Sequence, residues 1–185
     1  MGLREISPKY QIVKSENIQE KLSQYKKGGL FTFPAMSNFN GQKFPMQTWI
    51  GIANENNFKV MLDAASYVST NFLDLSEIDA DFICVSFYKI FGLPTGLGAL
   101  ISKNSSLEFL KKSYFGGGTV EMHLVNKSKH VGKMAEEQFE DGTLHYQGTY
   151  FFTICKLLDC KGQLISFSSS NTQFYESKIF CLFTL

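Results

Sequence analysis

Lys89 follows the apolar run Phe82-Ile83-Cys84-Val85, and an amine at the end of a β-type run can form a Schiff base with an aldehyde cofactor. Val60-Met61-Leu62 is a second such run, and it too closes on one charged residue, Asp63. The chain between them leaves room for a crossover connection between parallel neighbours, which would bring carboxylate and amine out at the same sheet edge. That pair suits pyridoxal phosphate, which needs an amine for its aldehyde and a carboxylate to keep its pyridine nitrogen protonated. On spacing alone the plainer alternative stands beside it: Asp63 caps a turn and Lys89 is a solvated strand end.

The elements that must position these groups read as an α/β alternation. Glu16 to Lys26 is expected to be a polar surface helix capped by Ser15 and stopped by Gly28-Gly29. Leu30 to Phe33 reads as a short strand. Pro45 then opens a helix through about Ala53, with Met46, Trp49, Ile50 and Ala53 on one face, and this feeds a strand from Phe58 to Leu62. Ala80 to Val85 suits a buried strand. Gly92, Pro94 and Gly96 tighten the loop after Lys89, Gly98 to Ser102 reads as a strand able to return antiparallel, and Ser105 to Lys112 as a short helix. The expected class is α/β with a largely parallel sheet and flanking helices.

Five segments occur in one order: Phe33-Pro34-Ala35-Met36-Ser37-Asn38-Phe39-Asn40-Gly41-Gln42-Lys43, Leu62-Asp63-Ala64-Ala65-Ser66-Tyr67-Val68-Ser69-Thr70, Ser86-Phe87-Tyr88-Lys89-Ile90-Phe91-Gly92, Tyr114-Phe115-Gly116-Gly117-Gly118-Thr119-Val120 and Phe139-Glu140-Asp141-Gly142-Thr143. The set resembles the aminotransferase-like domain of eukaryotic molybdenum cofactor sulfurases, class V pyridoxal-phosphate proteins related to cysteine desulfurases. The resemblance runs from Gly28 to Thr143 and implies part of a fold-type I large domain. Residues 1–143 are accordingly expected to form a partial cofactor domain, and 144–185 a divergent tail.

The resemblance also assigns roles. Lys89 matches the lysine that holds pyridoxal phosphate, Asp63 the partner of the pyridine nitrogen, and Asn38 a contact to the ring hydroxyl or substrate. Ser86 matches a phosphate-contacting serine, and Thr143 a threonine that reaches the phosphate of the opposite subunit, implying a homodimer. Ser66 stands where many relatives carry glutamine, and Tyr88 where many cysteine desulfurases carry histidine. For these two, packing or turn roles are equally open. The Gly116-Gly117-Gly118 loop resembles one that approaches the partner's site, although three glycines more often mark only a turn.

The implied activity is transfer of sulfur from L-cysteine, leaving alanine, to the molybdenum cofactor. A protein thiolate would carry the sulfur, and its position is not given by the matching segments. Cys155, Cys160 and Cys181 fall outside them, and Cys84 lies within an expected strand, where burial makes a thiol inert. From its length, this chain is expected to hold neither the family's upstream segment nor its small domain and molybdenum-cofactor-binding domain. Three further readings are therefore kept: a non-catalytic remnant or interaction module, a cysteine desulfurase, and a selenocysteine lyase.

Composition excludes other classes. The 185 residues are 44% hydrophobic and 19% charged, enough for one domain with a real core. The net charge of +1, with basic residues scattered, gives no nucleic-acid footprint. No apolar run reaches membrane-spanning length, since Lys156 interrupts Tyr150 to Leu158. The four cysteines show no Cys-x-x-Cys spacing and no secretory signal precedes them, so a reduced, cytoplasmic protein is expected. His123, His130 and His145 lack ligand spacing, and no metal site is expected.

Overall fold

A computed structural model of the chain describes residues 10–92, 96–112, 114–126, 129–143, 145–150, 165–166 and 177–182. The first helix is shorter than its polar pattern suggests. A 3-10 turn over Ser15–Asn17 leads into α1 (Ile18–Ser23), and Ser15 makes no capping bond, because it already belongs to that turn. Only Ile18 and Leu22 are buried in α1, one turn apart on the face that joins the main core beside the next helix. Gly28, at φ +67°, then reverses the chain where an added Cβ would lie 2.0 Å from the carbonyl oxygen of Asn57.

β1 (Leu30–Pro34) alternates exposed and buried residues and points Phe31 and Phe33 inward. The helix α2 (Met46–Glu55) follows Pro45 and buries Ile50 and Ala53, with Met46 and Trp49 packed beside them. Rings interlock the two elements, with Phe33 and Trp49 5.2 Å apart and nearly perpendicular. β2 (Lys59–Asp63) returns parallel to β1, pairing Phe33 with Leu62 and Pro34 with Asp63. The strand β3 (Leu73–Asp74) is short, and Val68, Leu73, Leu75 and Ile78 around it close the core over α1 and α2.

β4 (Phe82–Ser86) is parallel to β2, with Asp63 opposite Cys84. The expected strand end at Lys89 is corrected by the structure: the strand stops at Ser86, and Lys89 sits on α3 (Tyr88–Phe91), one helical turn closed by Gly92 at φ +64°. β5 (Gly98–Lys103) returns antiparallel to β4, as its sequence suggests. A 3-10 helix over Asn104–Phe109 replaces the expected short α-helix. Its third residue, Ser106, is fully buried and donates to Asp81, which ties the segment to the start of β4.

Beyond these, β6 (Val120–His123) and β7 (His130–Gly132) form a separate antiparallel pair. β8 (Ile165–Ser166) pairs with β3, and β9 (Ser177–Leu182) pairs with β5. Within the expected tail, residues 151–164, 167–176 and 183–185 lie outside the described residues. The main sheet thus runs β1-β2-β4-β5-β9, with the first three strands parallel. Its larger core lies under α1 and α2, while Phe82 and Leu100 begin a smaller one on the other face with Met61, Leu107, Leu110 and Phe139.

The N-terminal ends of the parallel strands are pinned by one buried carboxylate. Asp81, 5% exposed, accepts hydrogen bonds from Lys59 Nζ at 2.8 Å, the Val60 N–H at 2.8 Å and Ser106 Oγ at 2.5 Å. Burial pushes its pKa up, but Lys59, Ser106 and Val60 together outweigh that and hold it below the usual carboxylate range. The opposite, C-terminal edge is left to loops.

Candidate functional site

At that C-terminal edge three loops converge. After β1, the turn over residues 37–42 is tightly self-bonded: Ser37 N–H donates to the Gln42 carbonyl at 2.8 Å, and Ser37 Oγ accepts from the N–H groups of Phe39 and Asn40. Asn40 Oδ1 accepts in turn from the Gln42 N–H. The turn therefore presents Asn38 as an exposed but fixed amide. After β2, Asp63 Oδ1 accepts the Ala65 N–H at 3.0 Å, and Ser69 Oγ donates to the Ser66 carbonyl, so a compact turn presents Ser66. The third loop carries α3.

Lys89 Nζ reaches back across all three. It donates to Asn38 Oδ1 at 3.1 Å and to Ser66 Oγ at 3.2 Å, while Ser66 Oγ donates to Asn38 Oδ1 at 3.0 Å. The result is a closed triangle of one amine and two neutral oxygens. Among the described residues Lys89 forms no salt bridge, so its amine is not tied up by a carboxylate. The Tyr88 ring stands 5.9 Å from the same nitrogen. An amine held only by neutral acceptors at a sheet edge keeps its lone pair accessible once deprotonated, which covalent chemistry with a carbonyl carbon needs.

The other residues singled out by sequence make no hydrogen bond to this triangle among the described residues. Asp63 ends β2, exposed, its carboxylate engaged by its own turn. It also acts on Cys84: burial first, and the negative charge of Asp63 second, raise the thiol pKa. Ser86 ends β4, half-buried. Thr143 is exposed in a separate loop, after Gly142 at φ +83°.

Two features went unread in the sequence. Asp141 Oδ1 accepts from Lys112 Nζ at 2.7 Å and the Gly116 N–H at 3.0 Å, which clamps the triple-glycine loop to the segment that ends in Thr143. Lys112 and Gly116 lower the Asp141 pKa more than burial raises it. The acid lies within the Phe-Glu-Asp-Gly-Thr segment, but nothing local marks its partner. The second is Phe115, whose ring packs 4.3 Å from that of His130 and 5.1 Å from that of His123, a use of the two histidines as packed rings. Among the described residues no group of three or more His, Cys, Asp and Glu side chains could hold a metal ion, and no helix is long and apolar enough to cross a membrane.

An open, mostly parallel α/β sheet with a loop-borne lysine at its C-terminal edge defines a class of ligand-binding proteins. The class V aminotransferase family model matches residues 5–167, and the chain belongs to that family, whose cofactor is pyridoxal phosphate. It is 43% identical over 161 residues to molybdenum cofactor sulfurase 3 of Aedes aegypti, covering 79% of this chain and 21% of that one. It is 46% identical over 127 residues to the molybdenum cofactor sulfurase of Homo sapiens, covering 63% and 14%. The chain thus spans about a fifth or less of the curated relatives it matches. Among solved structures, the cysteine desulfurase CsdA of Escherichia coli superposes with a TM-score of 0.65 at 25% identity, covering 76% of this chain and 36% of that one. The apo cysteine desulfurase of Thermococcus onnurineus gives 0.64 at 24%, covering 74% and 33%, and supports the fold. The expected fold class, a partial fold-type I large domain, and the expected cofactor both stand.

Proposed function

We propose that this chain is the cofactor-holding part of a molybdenum cofactor sulfurase, a protein that takes sulfur from L-cysteine, releases alanine and sulfurates the molybdenum cofactor. The observation that carries the reading is the Lys89, Asn38 and Ser66 triangle, in a chain 43–46% identical to sulfurases. Its donor chemistry fits the group: one amine without a carboxylate partner, two neutral oxygens beside it, and an acid ending the neighbouring strand. When bound, pyridoxal phosphate supplies a conjugated ring that withdraws electrons from the substrate.

The residues would divide the work as follows. Lys89 Nζ binds the aldehyde carbon, and as a free amine it can take up and return a proton. Asn38 Oδ1 and Ser66 Oγ orient that amine, and Asn38 would contact the ring hydroxyl or the substrate. Asp63 holds the proton on the pyridine nitrogen. Ser86 would donate its hydroxyl to the phosphate, and Thr143 would do so from the opposite subunit of a homodimer. Cys84 is unsuited to carry the sulfur, because burial and Asp63 keep its thiol protonated. The reading carries a cytoplasmic location with it.

Two other readings each have one observation in their favour. Asp63, whose carboxylate is engaged by its own turn and stands outside the triangle, favours a non-catalytic module that keeps the fold. The superposition on CsdA favours a cysteine desulfurase, with a selenocysteine lyase as its neighbour in chemistry. Titrating the purified chain with pyridoxal phosphate tests the first: the proposal expects a visible absorption band that borohydride removes and that Lys89→Ala lacks. No band in the parent protein, or an equal band in Lys89→Ala, would overturn it. Assays of a longer chain with cysteine, selenocysteine and the molybdenum cofactor separate the enzymes.

A further inference from the structure

Asp141 joins two segments that lie apart in the chain. Its Oδ1 accepts from Lys112 Nζ at 2.7 Å and from the Gly116 N–H at 3.0 Å, and Lys112 Nζ also donates to the Gln138 carbonyl at 2.9 Å, so the cation grips the segment at two points. The Gly116 carbonyl accepts in turn from Thr119, whose N–H stands at 3.0 Å and whose Oγ1 stands at 2.8 Å. Thr119 is 1% exposed, and its carbonyl accepts from the Lys133 N–H at 2.9 Å. Glycine at 116 permits the close approach, since a Cβ there would stand 3.2 Å from Asp141 Oδ1. The knot has a buried anchor at Thr119 and a carboxylate at its outer end.

A partly exposed ion pair such as Lys112–Asp141 contributes little to stability by itself. Its consequence is geometric. Just beyond Asp141 the chain passes through Gly142 at φ +83°, and the exposed Thr143 comes next. Two positions further, the His145 ring lies 3.8 Å from where a Cβ of Gly96 would stand, in the loop that leads from Lys89 into β5. His145 is itself held, its Nδ1 accepting the Gly148 N–H at 2.9 Å and its carbonyl the Thr149 N–H at 3.0 Å. Thr143 is thus suspended between two fixed points, Asp141 on one side and the turn at His145, beside the Lys89 loop, on the other.

We propose that Asp141 is a positioning residue for the cofactor's phosphate: by holding its own segment against Gly116, it fixes where the Thr143 hydroxyl is presented. The inference rests on the phosphate contact proposed above for Thr143. A hydroxyl donates one directional hydrogen bond, and the bond serves a ligand best when the backbone that carries it is set before the ligand arrives. A loose segment would lose much of that bond to its own ordering. Asp141 therefore matters for the phosphate end of the cofactor and not for the aldehyde end, which belongs to Lys89 and the loops after β1 and β2.

The test is titration of the full chain with pyridoxal phosphate and with pyridoxal, which lacks the phosphate. Asp141→Ala should weaken pyridoxal phosphate about tenfold, and Asp141→Asn, which keeps an oxygen for the Gly116 N–H, about threefold, while both leave pyridoxal near its parent affinity. In a Thr143→Val background either Asp141 substitution should add less than about twofold, because the hydroxyl through which Asp141 acts is already gone. A general loosening of the fold would instead weaken both ligands alike and add in full to Thr143→Val. Equal losses for the two ligands, full additivity with Thr143→Val, or parent-like affinity in Asp141→Ala or Thr143→Val would each overturn the proposal while the Lys89 reading stands. If neither ligand gives a band that Lys89→Ala lacks, the cofactor reading itself falls and this inference with it.

Discussion

The amine of Lys89 donates to Oδ1 of Asn38 at 3.1 Å, across fifty-one positions of the chain. The two residues sit on loops that leave β4 and β1, the outer members of a parallel three-strand set with β2 between them. Ser66, on the loop after β2, bridges the two. The contact is therefore a product of strand order, and the triangle makes a specific expectation. Asn38→Ala and Ser66→Ala each remove one neutral acceptor from the Lys89 amine, worth about 1 kcal/mol. Affinity for pyridoxal phosphate should fall roughly fivefold in each, and the double variant should lose less than the product of the two, because the hydrogen bonds are shared. Fluorescence or absorbance titration measures it, and strictly multiplicative losses would argue against a coupled triangle.

Asp81 predicts a pH dependence of stability. Its folded pKa is depressed, so it contributes stability fully above its unfolded value near ~3.9, and that contribution disappears as pH falls through the lower folded value. Asp81→Asn leaves Lys59 and Ser106 without their charged acceptor and should cost about 2–4 kcal/mol at neutral pH. Urea midpoints taken between neutral pH and pH ~3 should converge for the two proteins as the carboxylate protonates. A constant gap across that window would rule the carboxylate out as its source.

Cys84 should be slow to alkylate in the folded chain. Burial raises its thiol pKa first and the Asp63 charge adds to it, so little thiolate is available at neutral pH. Peptide mapping after iodoacetamide should find Cys84 unmodified until denaturant is added, with Asp63→Asn modestly faster. Rapid modification in the native state would contradict this.

Gly28 packs against the Asn57 carbonyl where the chain enters β1 beside the start of β2. At φ +67°, with the Asn57 carbonyl 2.0 Å from where a Cβ would stand, Gly28→Ala meets both backbone strain and a clash with main chain. The loss should be at least ~2 kcal/mol in denaturant unfolding. Gly41→Ala, also at positive φ but with open space around it, should cost less.

The sequence by itself determined the strands β1, β2, β4 and β5, the helix α2 and the antiparallel return of β5, because each is written in local alternation, in Pro45, or in short apolar runs that suit few other structures. It also marked Lys89 and Asp63 as residues to watch, since a lone charged side chain at the end of an apolar run is a local signal, and the family resemblance added Asn38 and Ser66. What it could not decide was which of them meet. Ser66 entered the triangle and Asp63 did not, and that depends on how two turns are folded by bonds such as Ala65 N–H to Asp63 Oδ1. Tertiary structure alone set Lys89 on a helical turn, joined Asp81 to Ser106, and seated residues 177–182 beside β5. Each of these joins segments distant in sequence, where composition fixes the demand for a partner and only the packed chain selects which partner answers it.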